Sequence, residues 1–120
     1  MMLGGQMQLT EALKLWQDVT LDMVRDPAQE RDLTARQLSI LLTVYLEPPP
    51  HTVRGLAARL DVTKPAITRA LDTMGRMNLV DRKRDEADKR NVLVKRTVEG
   101  ALFLERLGDN IRDHIKGIAV

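Results

Sequence analysis

Cysteine is absent from the 120 residues, and only three residues are aromatic: Trp16, Tyr45 and Phe103. Without cysteine the chain can form neither disulfides nor thiolate metal sites, and it cannot sense oxidants through a thiol. Three aromatic side chains are too few for the stacking platform on which single-strand and RNA-binding proteins hold bases. The lack of cysteine also fits a cytoplasmic location.

Long apolar segments and catalytic motifs are missing as well. No run of 18 apolar residues occurs, so we expect no membrane span. The first residues, MMLGGQMQLTE, lack a basic start and a long apolar stretch, so we expect no secretion signal. His51 and His114 lie far apart, and the chain has no glycine-rich phosphate loop or nucleophile motif. We therefore expect no enzyme, no metal site and no cofactor.

The charge is distributed unevenly along the chain. Residues 52–96 contain 12 Lys/Arg and 6 Asp/Glu, whereas the remainder contains 7 basic and 11 acidic residues, which gives +2 overall. Phosphate neutralisation releases counterions, so a local basic surface suits double-stranded DNA; a merely solvated charged surface is the alternative. The length and the hydrophobic fraction of 43% predict one globular domain over 1–120.

Two helices are predicted before the basic segment. Apolar residues at helical spacing indicate a first helix over 8–25. Thr34 and Gln37 form a T-x-x-Q capping box at the start of a second helix, which the prolines at 48–50 should end near Glu47. The expected buried residues of this second helix are Leu38, Leu41, Leu42 and Tyr45.

The basic segment predicts a helix-turn-helix followed by a β-hairpin. Thr52 and Thr63 are the expected N-caps of the third and fourth helices, which are joined by a turn at Asp61. Strands over 80–84 and 91–96 should enclose a polar tip without glycine. A last helix should begin after Thr97, with the apolar residues Ala101, Leu104, Gly108, Ile111, Ile115 and Ile118 on one face. The fold class is therefore mainly α with a small β-hairpin, a winged helix-turn-helix.

Three segments resemble the MarR family of bacterial winged-helix transcriptional regulators: LTARQLSILL, VRGLAARLDVTKPAITRALDTM and NLVDRKRDEADKRNVLVKRTVEG. Together they cover a little under half of the chain, and the most specific part is Asp88-Lys89-Arg90 before the second strand. The resemblance implies a winged-helix core over 33–97, with dimerisation helices over 8–25 and 98–118.

The sequence departs from the family pattern at three points. Asn78 and Arg96 stand where the family usually has glycine and leucine. About twenty residues follow Gly100, fewer than is usual in the family, so we expect the dimer geometry to differ or to be reduced. The expected dimer interface consists of Leu9, Leu13, Trp16, Leu104, Ile111, Ile115 and Ile118.

The resemblance and the geometry of such proteins together nominate the DNA contacts. The start of a recognition helix enters the major groove, so Lys64, Thr68 and Arg69 should reach base edges, although Arg69 can instead hold a phosphate. Arg90 matches the family's wing-tip arginine, which is expected in the minor groove, with Asp88 orienting it. The further DNA contacts expected are Thr52, Arg54, Thr63, Arg76, Arg82, Arg84 and Lys89, the threonines having the simpler role of caps.

We therefore predict a sequence-specific, double-stranded-DNA-binding transcriptional regulator, a repressor that binds a palindromic operator as a homodimer. A winged-helix protein-interaction module and a non-specific chromosomal DNA-binding protein remain alternatives. The resemblance also implies a small-molecule effector near Trp16, Tyr45 and His51, although the residues themselves favour the alternative that the three are core or surface residues.

Overall fold

The computed structural model describes residues 7–29 and 32–118, which form five helices and three strands. In chain order the elements are α1 (Leu9–Arg25), α2 (Ala35–Leu46), β1 (His51–Thr52), α3 (Val53–Leu60), α4 (Lys64–Arg76), β2 (Val80–Arg84), β3 (Val92–Arg96) and α5 (Val98–Ile118). The predicted class, mainly α with a small sheet in a winged-helix arrangement, is confirmed. Within the two described ranges, no helix is long and apolar enough to cross a membrane.

Two compact units are distinguished in the chain. The larger unit, 33–103, contains the helix-turn-helix α3–α4 and the hairpin β2–β3, which we term the wing. The smaller unit combines 1–32 with 104–120, and so includes α1 and most of α5. The assignment of 1–120 to one domain stays a prediction.

Local side-chain hydrogen bonds start the helices of the larger unit where the sequence predicts. The Thr34 hydroxyl accepts from the backbone N–H of Gln37 (3.1 Å), and the Gln37 side chain accepts from the backbone N–H of Thr34 (2.9 Å), which completes the capping box. Thr52 caps α3 and Thr63 caps α4. In each case the hydroxyl accepts from the backbone N–H of the residue three positions later. The first helix begins at Leu9, one residue later than predicted.

Residues with left-handed backbone conformation lie on both sides of α4. Asp61, before it, has a φ of 57°, and Asn78, after it, has a φ of 59°. The backbone N–H of Leu79 donates to Met74 O (2.9 Å), which is the hydrogen bond typical of a helix end with a left-handed residue. Asp and Asn adopt this conformation at lower cost than most residues, so both turns form without glycine.

The sheet is antiparallel in the order β1-β3-β2. The wing strand Val80–Arg84 has its predicted bounds, while β3 begins at Val92 and not at Asn91, because the backbone of Asn91 bonds within the tip, to Asp85 and Asp88. The strand β1 was not predicted. Its two residues pair with Leu93 and Val94 of β3, and so short a segment carries no alternation in the sequence.

The core differs from the predicted apolar faces on two helices. In α2 the buried residues are Ile40, Leu41 and Val44, whereas Leu38, Leu42 and Tyr45 are only half-buried. In α5 the buried side chains are Phe103 and Leu107, in line with buried Gly100. The predicted α5 residues lie one position further along and are half-buried or exposed. Two neighbouring apolar faces share the helical period, so spacing alone does not distinguish them.

The Tyr45 hydroxyl joins three parts of the larger unit. It accepts from the backbone N–H of Thr97 (2.8 Å), and its single hydrogen lies within donating distance of two carbonyls, those of Thr97 (2.9 Å) and Leu79 (3.1 Å). The Thr97 hydroxyl donates to Asn78 O (2.7 Å) and accepts from the backbone N–H of Gly100 (2.9 Å). The end of α2, the exit of α4 and the start of α5 are therefore held at one point.

Arg96 completes this junction. Its guanidinium carbon lies 5.6 Å from the centre of the Tyr45 ring, and its Nε donates to Val44 O (3.0 Å). A second guanidinium nitrogen lies 3.5 Å from Glu47 O. A cation thus satisfies carbonyls at the C-terminal end of α2, where the helix dipole favours positive charge.

We expect Gly100→Ala to lower the free energy of unfolding by about 1–3 kcal/mol, the usual cost of overpacking. A Cβ at this position would overlap the Tyr45 hydroxyl and the Leu79 carbonyl oxygen. The control is Gly75→Ala in α4, where a Cβ meets no atom within 4 Å and better helix propensity should stabilise by up to about 1 kcal/mol. Urea unfolding followed by circular dichroism measures both. Equal stability changes in the two variants would contradict the tight junction.

Candidate nucleic-acid interface

The exposed face of α4 presents three of the predicted DNA contacts together. Lys64, Thr68 and Arg69 are exposed, and we term them the exposed α4 face. The opposite side of the helix packs into the core through Ala66, Ile67, Ala70, Leu71 and Met74. Within the described ranges the three exposed side chains make no hydrogen bond or ion pair with the rest of the chain, so their donors are available to a ligand.

The remaining candidates on α3 and α4 have defined local roles or lie free on the surface. The hydroxyls of Thr52 and Thr63 accept from Gly55 N (2.9 Å) and Ala66 N (3.3 Å), as expected of caps. A guanidinium nitrogen of Arg76 lies 3.4 Å from the Thr73 hydroxyl. Arg54 is exposed at the start of α3. Their contacts with DNA stay a prediction.

Two aspartates close the wing tip in place of glycine. The Asp85 carboxylate accepts from Ala87 N (2.9 Å), and the Asp88 carboxylate accepts from Arg90 N (3.2 Å). Such bonds from an Asp side chain to the backbone two residues later imitate a backbone turn. The tip is therefore shaped by the same residues that carry its charge.

Asp88 also holds the Arg90 side chain. The Nε and one terminal nitrogen of Arg90 donate to the two carboxylate oxygens, each over 3.0 Å, although 78% of the Arg90 side chain is exposed. These hydrogen bonds lower the pKa of Asp88 and raise that of Arg90; the Arg90 backbone N–H and the charge of Arg54 lower the Asp88 pKa further. The second terminal nitrogen of Arg90 remains without a bond to Asp88.

The other wing cations fall into two groups. Arg82 forms an ion pair with Asp72 of α4 (2.8 Å), and Arg84 donates to Lys89 O (3.2 Å). The side chains of Lys83, Lys89 and Lys95 make no hydrogen bond or ion pair within the described ranges. In the sequence, Lys83 and Lys95 are distinguished only by their place in the basic run, which predicts no particular role for either. Lys83 pairs with Leu93 across the hairpin. It therefore lies on the other face of the sheet from Arg82.

Two of the residues predicted for an effector site, Tyr45 and His51, have polar atoms that are already hydrogen-bonded within the larger unit. The Tyr45 hydroxyl is used in the junction described above, and His51 Nε2 lies 3.0 Å from Glu47 O. Trp16, in α1 of the smaller unit, is 49% exposed. Among the described residues, no cluster of three or more His, Asp or Glu side chains is arranged to hold a metal ion.

A second bidentate ion pair lies next to the end of α2. Arg59 of α3 donates to both carboxylate oxygens of Glu47, with the closest approach 2.8 Å. This hydrogen bonding lowers the pKa of Glu47 and raises that of Arg59. The pair gives an independent reference for the Asp88–Arg90 pair on the wing.

The predicted dimer interface is largely solvent-accessible in the single chain. Leu9, Leu13 and Trp16 of α1 are exposed, and the α5 residues Leu104, Ile111, Ile115 and Ile118 are half-buried. Within the smaller unit, His114 Nε2 of α5 contacts the Asp22 carboxylate of α1 at 2.7 Å, so the two helices are also joined by a polar contact.

We expect the Asp88 carboxyl to titrate below its ordinary pKa and to return towards it in Arg90→Gln. A depressed pKa in the folded state means that the pair stabilises the folded wing above the ordinary pKa of Asp, and that this contribution is lost as the pH falls through the depressed value. NMR titration of the side-chain carboxyl carbons measures this. Arg59→Gln is the matched control, since it should move the pKa of Glu47 and leave Asp88 unchanged. An Asp88 midpoint insensitive to Arg90→Gln would contradict the pairing.

Comparison with known proteins places this arrangement in a family. The family model described as the MarR family matches residues 33–92, from the residue before the α2 cap to the first residue of β3. No curated protein matches the chain.

Similar solved structures cover most of the chain. The transcriptional regulator Tm0710 from Thermotoga maritima is 22% identical over 89% of this chain and 71% of that one, with a TM-score of 0.72. BldR from Sulfolobus solfataricus is 29% identical over 91% and 76%, with a TM-score of 0.61. MepR of S. aureus in its DNA complex is 20% identical over 89% and 77%, with a TM-score of 0.64. Because the family model spans half of the chain and includes the whole helix-turn-helix, the chain belongs to the MarR family.

Proposed function

We propose that this protein is a transcriptional repressor that binds a palindromic double-stranded DNA operator as a homodimer. The observation that carries the proposal is the exposed α4 face, whose Lys64, Thr68 and Arg69 side chains have no partner among the described residues and share a unit with a basic wing. Cations on a surface of this kind gain affinity for duplex DNA by counterion release.

The two DNA-contacting elements are suited to different grooves. An α-helix fits the major groove, where an arginine such as Arg69 can bond both acceptors of a guanine and discriminate against other bases by about 1–3 kcal/mol. A narrow minor groove concentrates negative potential, which favours a single exposed guanidinium such as that of Arg90. Asp88 fixes the direction of this guanidinium and leaves one terminal nitrogen for a DNA acceptor.

The neighbouring structures support a DNA partner. MepR of S. aureus has been solved in complex with DNA, and Tm0710 is described as a transcriptional regulator. The proposal transfers this partner to the present chain through the shared family. No catalytic role is proposed for any residue.

The homodimer is supported by the apolar residues left accessible on α1. Leu9 and Leu13 are 77% and 63% exposed, one helical turn apart. Large exposed apolar side chains in a row mark interaction surfaces, and a second copy would bring two exposed α4 faces to the two halves of a palindrome.

A small-molecule effector is the least constrained part of the proposal. MepR has also been solved with ethidium bromide. The Tyr45 hydroxyl and the Nε2 atom of His51, however, already have partners in this chain.

The proposal is tested by selecting bound duplexes from a random pool with the purified protein. We expect enrichment of one site with two-fold symmetry, because a homodimer presents two identical readers. Binding without enrichment would instead indicate a non-specific chromosomal protein. Absence of binding, together with capture of a protein partner, would favour a protein-interaction module.

On the selected duplex, we expect Arg69→Ala to reduce affinity more than on random duplexes, by about tenfold if a bidentate guanine contact is lost. Fluorescence anisotropy with both duplexes measures the two affinities. Arg59→Ala, which removes an exposed arginine outside the proposed interface, is the control and should leave the affinity ratio unchanged. Equal losses of Arg69→Ala on both duplexes would assign Arg69 to a phosphate.

Arg90→Ala should weaken binding to most duplexes and lower the slope of log affinity against log salt by about one charge. The same titrations at several salt concentrations give the slope. The matched control is Arg59→Ala, which also removes an exposed arginine from a bidentate pair but lies outside the proposed interface. If the two variants behave alike, the wing tip does not contact DNA.

A further inference from the structure

The ion pair between Arg82 and Asp72 connects the wing directly to α4. The guanidinium of Arg82 lies 2.8 Å from the Asp72 carboxylate, and the two side chains are 34% and 45% exposed. Arg82 was nominated from the sequence as a phosphate contact. In the folded chain it is the only wing arginine whose described partner lies on the helix that carries the exposed α4 face.

The sheet register explains why Arg82 reaches the helix. Arg82 pairs with Val94, and Val80 pairs with Arg96, so Arg82 lies on the same sheet face as the buried residues Val80 and Val94. This is the face that packs towards the core. Lys83, the next residue, lies on the opposite face and makes no described ion pair.

Asp72 occupies a sensitive position on α4. It follows Thr68 by four residues and Arg69 by three, so it shares their side of the helix. A free carboxylate there would repel a phosphate backbone brought to the exposed α4 face. Its pairing with Arg82 offsets that charge and at the same time links the helix to β2.

We propose that Arg82 and Asp72 are positioning residues, which set the wing relative to α4 so that both can engage one duplex, and that Arg82 is not itself a phosphate contact. The inference rests on the proposed DNA-binding function. A bidentate-capable arginine suits this role because its planar fork fixes direction as well as charge.

The two possible roles of Arg82 predict opposite changes in DNA affinity for the Asp72→Ala variant. If Arg82 contacts phosphate, this variant releases the cation and removes a repulsive charge, so binding should tighten. If the pair positions the wing, the same variant should weaken binding to the selected duplex by about twofold to fivefold, the range expected for a partly exposed ion pair. Loss of positioning should also reduce affinity for the selected duplex more than for random duplexes, because only specific binding needs both elements in register.

The experiment compares Asp72→Ala, Arg82→Gln and the double variant. The pair acts as a unit if the double variant loses no more affinity than the weaker-binding single variant. The slope of log affinity against log salt for Arg82→Gln should equal that of Arg59→Gln, which removes the same charge from a residue outside the proposed interface. Tighter binding by Asp72→Ala, additive losses, or a slope about one unit lower than that of Arg59→Gln would each overturn the proposal.

Glu86→Ala is the control for removal of an acidic charge, since Glu86 is exposed at the wing tip and has no described partner. It should bind as tightly as the wild-type protein or more tightly. Weaker binding by Glu86→Ala to the same extent as Asp72→Ala would overturn the proposal, because acidic residues would then matter without the ion pair.

A measurement without DNA separates this inference from the proposed function. Backbone amides of β2 should exchange hydrogen faster in Asp72→Ala and in Arg82→Gln than in the wild-type protein, Glu86→Ala or Lys83→Gln. If the wild-type protein binds no duplex while exchange changes as expected, the DNA-binding function fails and the link between wing and helix stands. If exchange in β2 is unchanged in Asp72→Ala, the positioning proposal fails whatever the DNA affinity.

Discussion

The backbone N–H and C=O groups where α2, the end of α4 and the start of α5 meet need hydrogen-bond partners. The Tyr45 hydroxyl is the central partner. Tyr45 takes the N–H of Thr97 and approaches two carbonyls, while Thr97 adds bonds to Asn78 and Gly100. Buried N–H and C=O groups left unpaired are costly. The wing begins and ends at this junction. Its placement on the helix-turn-helix therefore depends on the close fit between the Tyr45 hydroxyl and Gly100, which has no side chain.

Basic residues in the wing divide according to their chemistry. The four arginines have defined partners: Asp72, Lys89 O, Asp88, and Val44 O with the Tyr45 ring. Their planar guanidinium groups can bond in fixed directions, whereas an ammonium group is a flexible point charge. The three lysines are left without partners in the described chain. A run of charges that looks uniform in the sequence thus contains arginines that hold the structure together and lysine side chains that are available to a ligand.

Features determined within a few residues could be predicted, and features that join distant segments could not. The Thr34 capping box, the Thr52 and Thr63 caps and the left-handed Asp61 depend on neighbours three or four residues away. The strand β1 exists only because β3 lies beside it, and the buried face of α5 depends on what covers it. For the interface, the exposed α4 face and the Asp88–Arg90 pair follow from local spacing, but the Arg82–Asp72 contact requires the relative placement of a helix and a strand.

Helix α4 is bounded by a capped start and by left-handed residues on either side, while the exposed side chains of Lys64, Thr68 and Arg69 take no part in its packing. Stability and surface chemistry are therefore encoded by different positions of the same thirteen-residue helix. Descendants of this gene could exchange Lys64, Thr68 or Arg69 with little effect on folding. The buried face of α4 can therefore be preserved in evolution while the exposed α4 face changes, and with it the ligand that this face would bind.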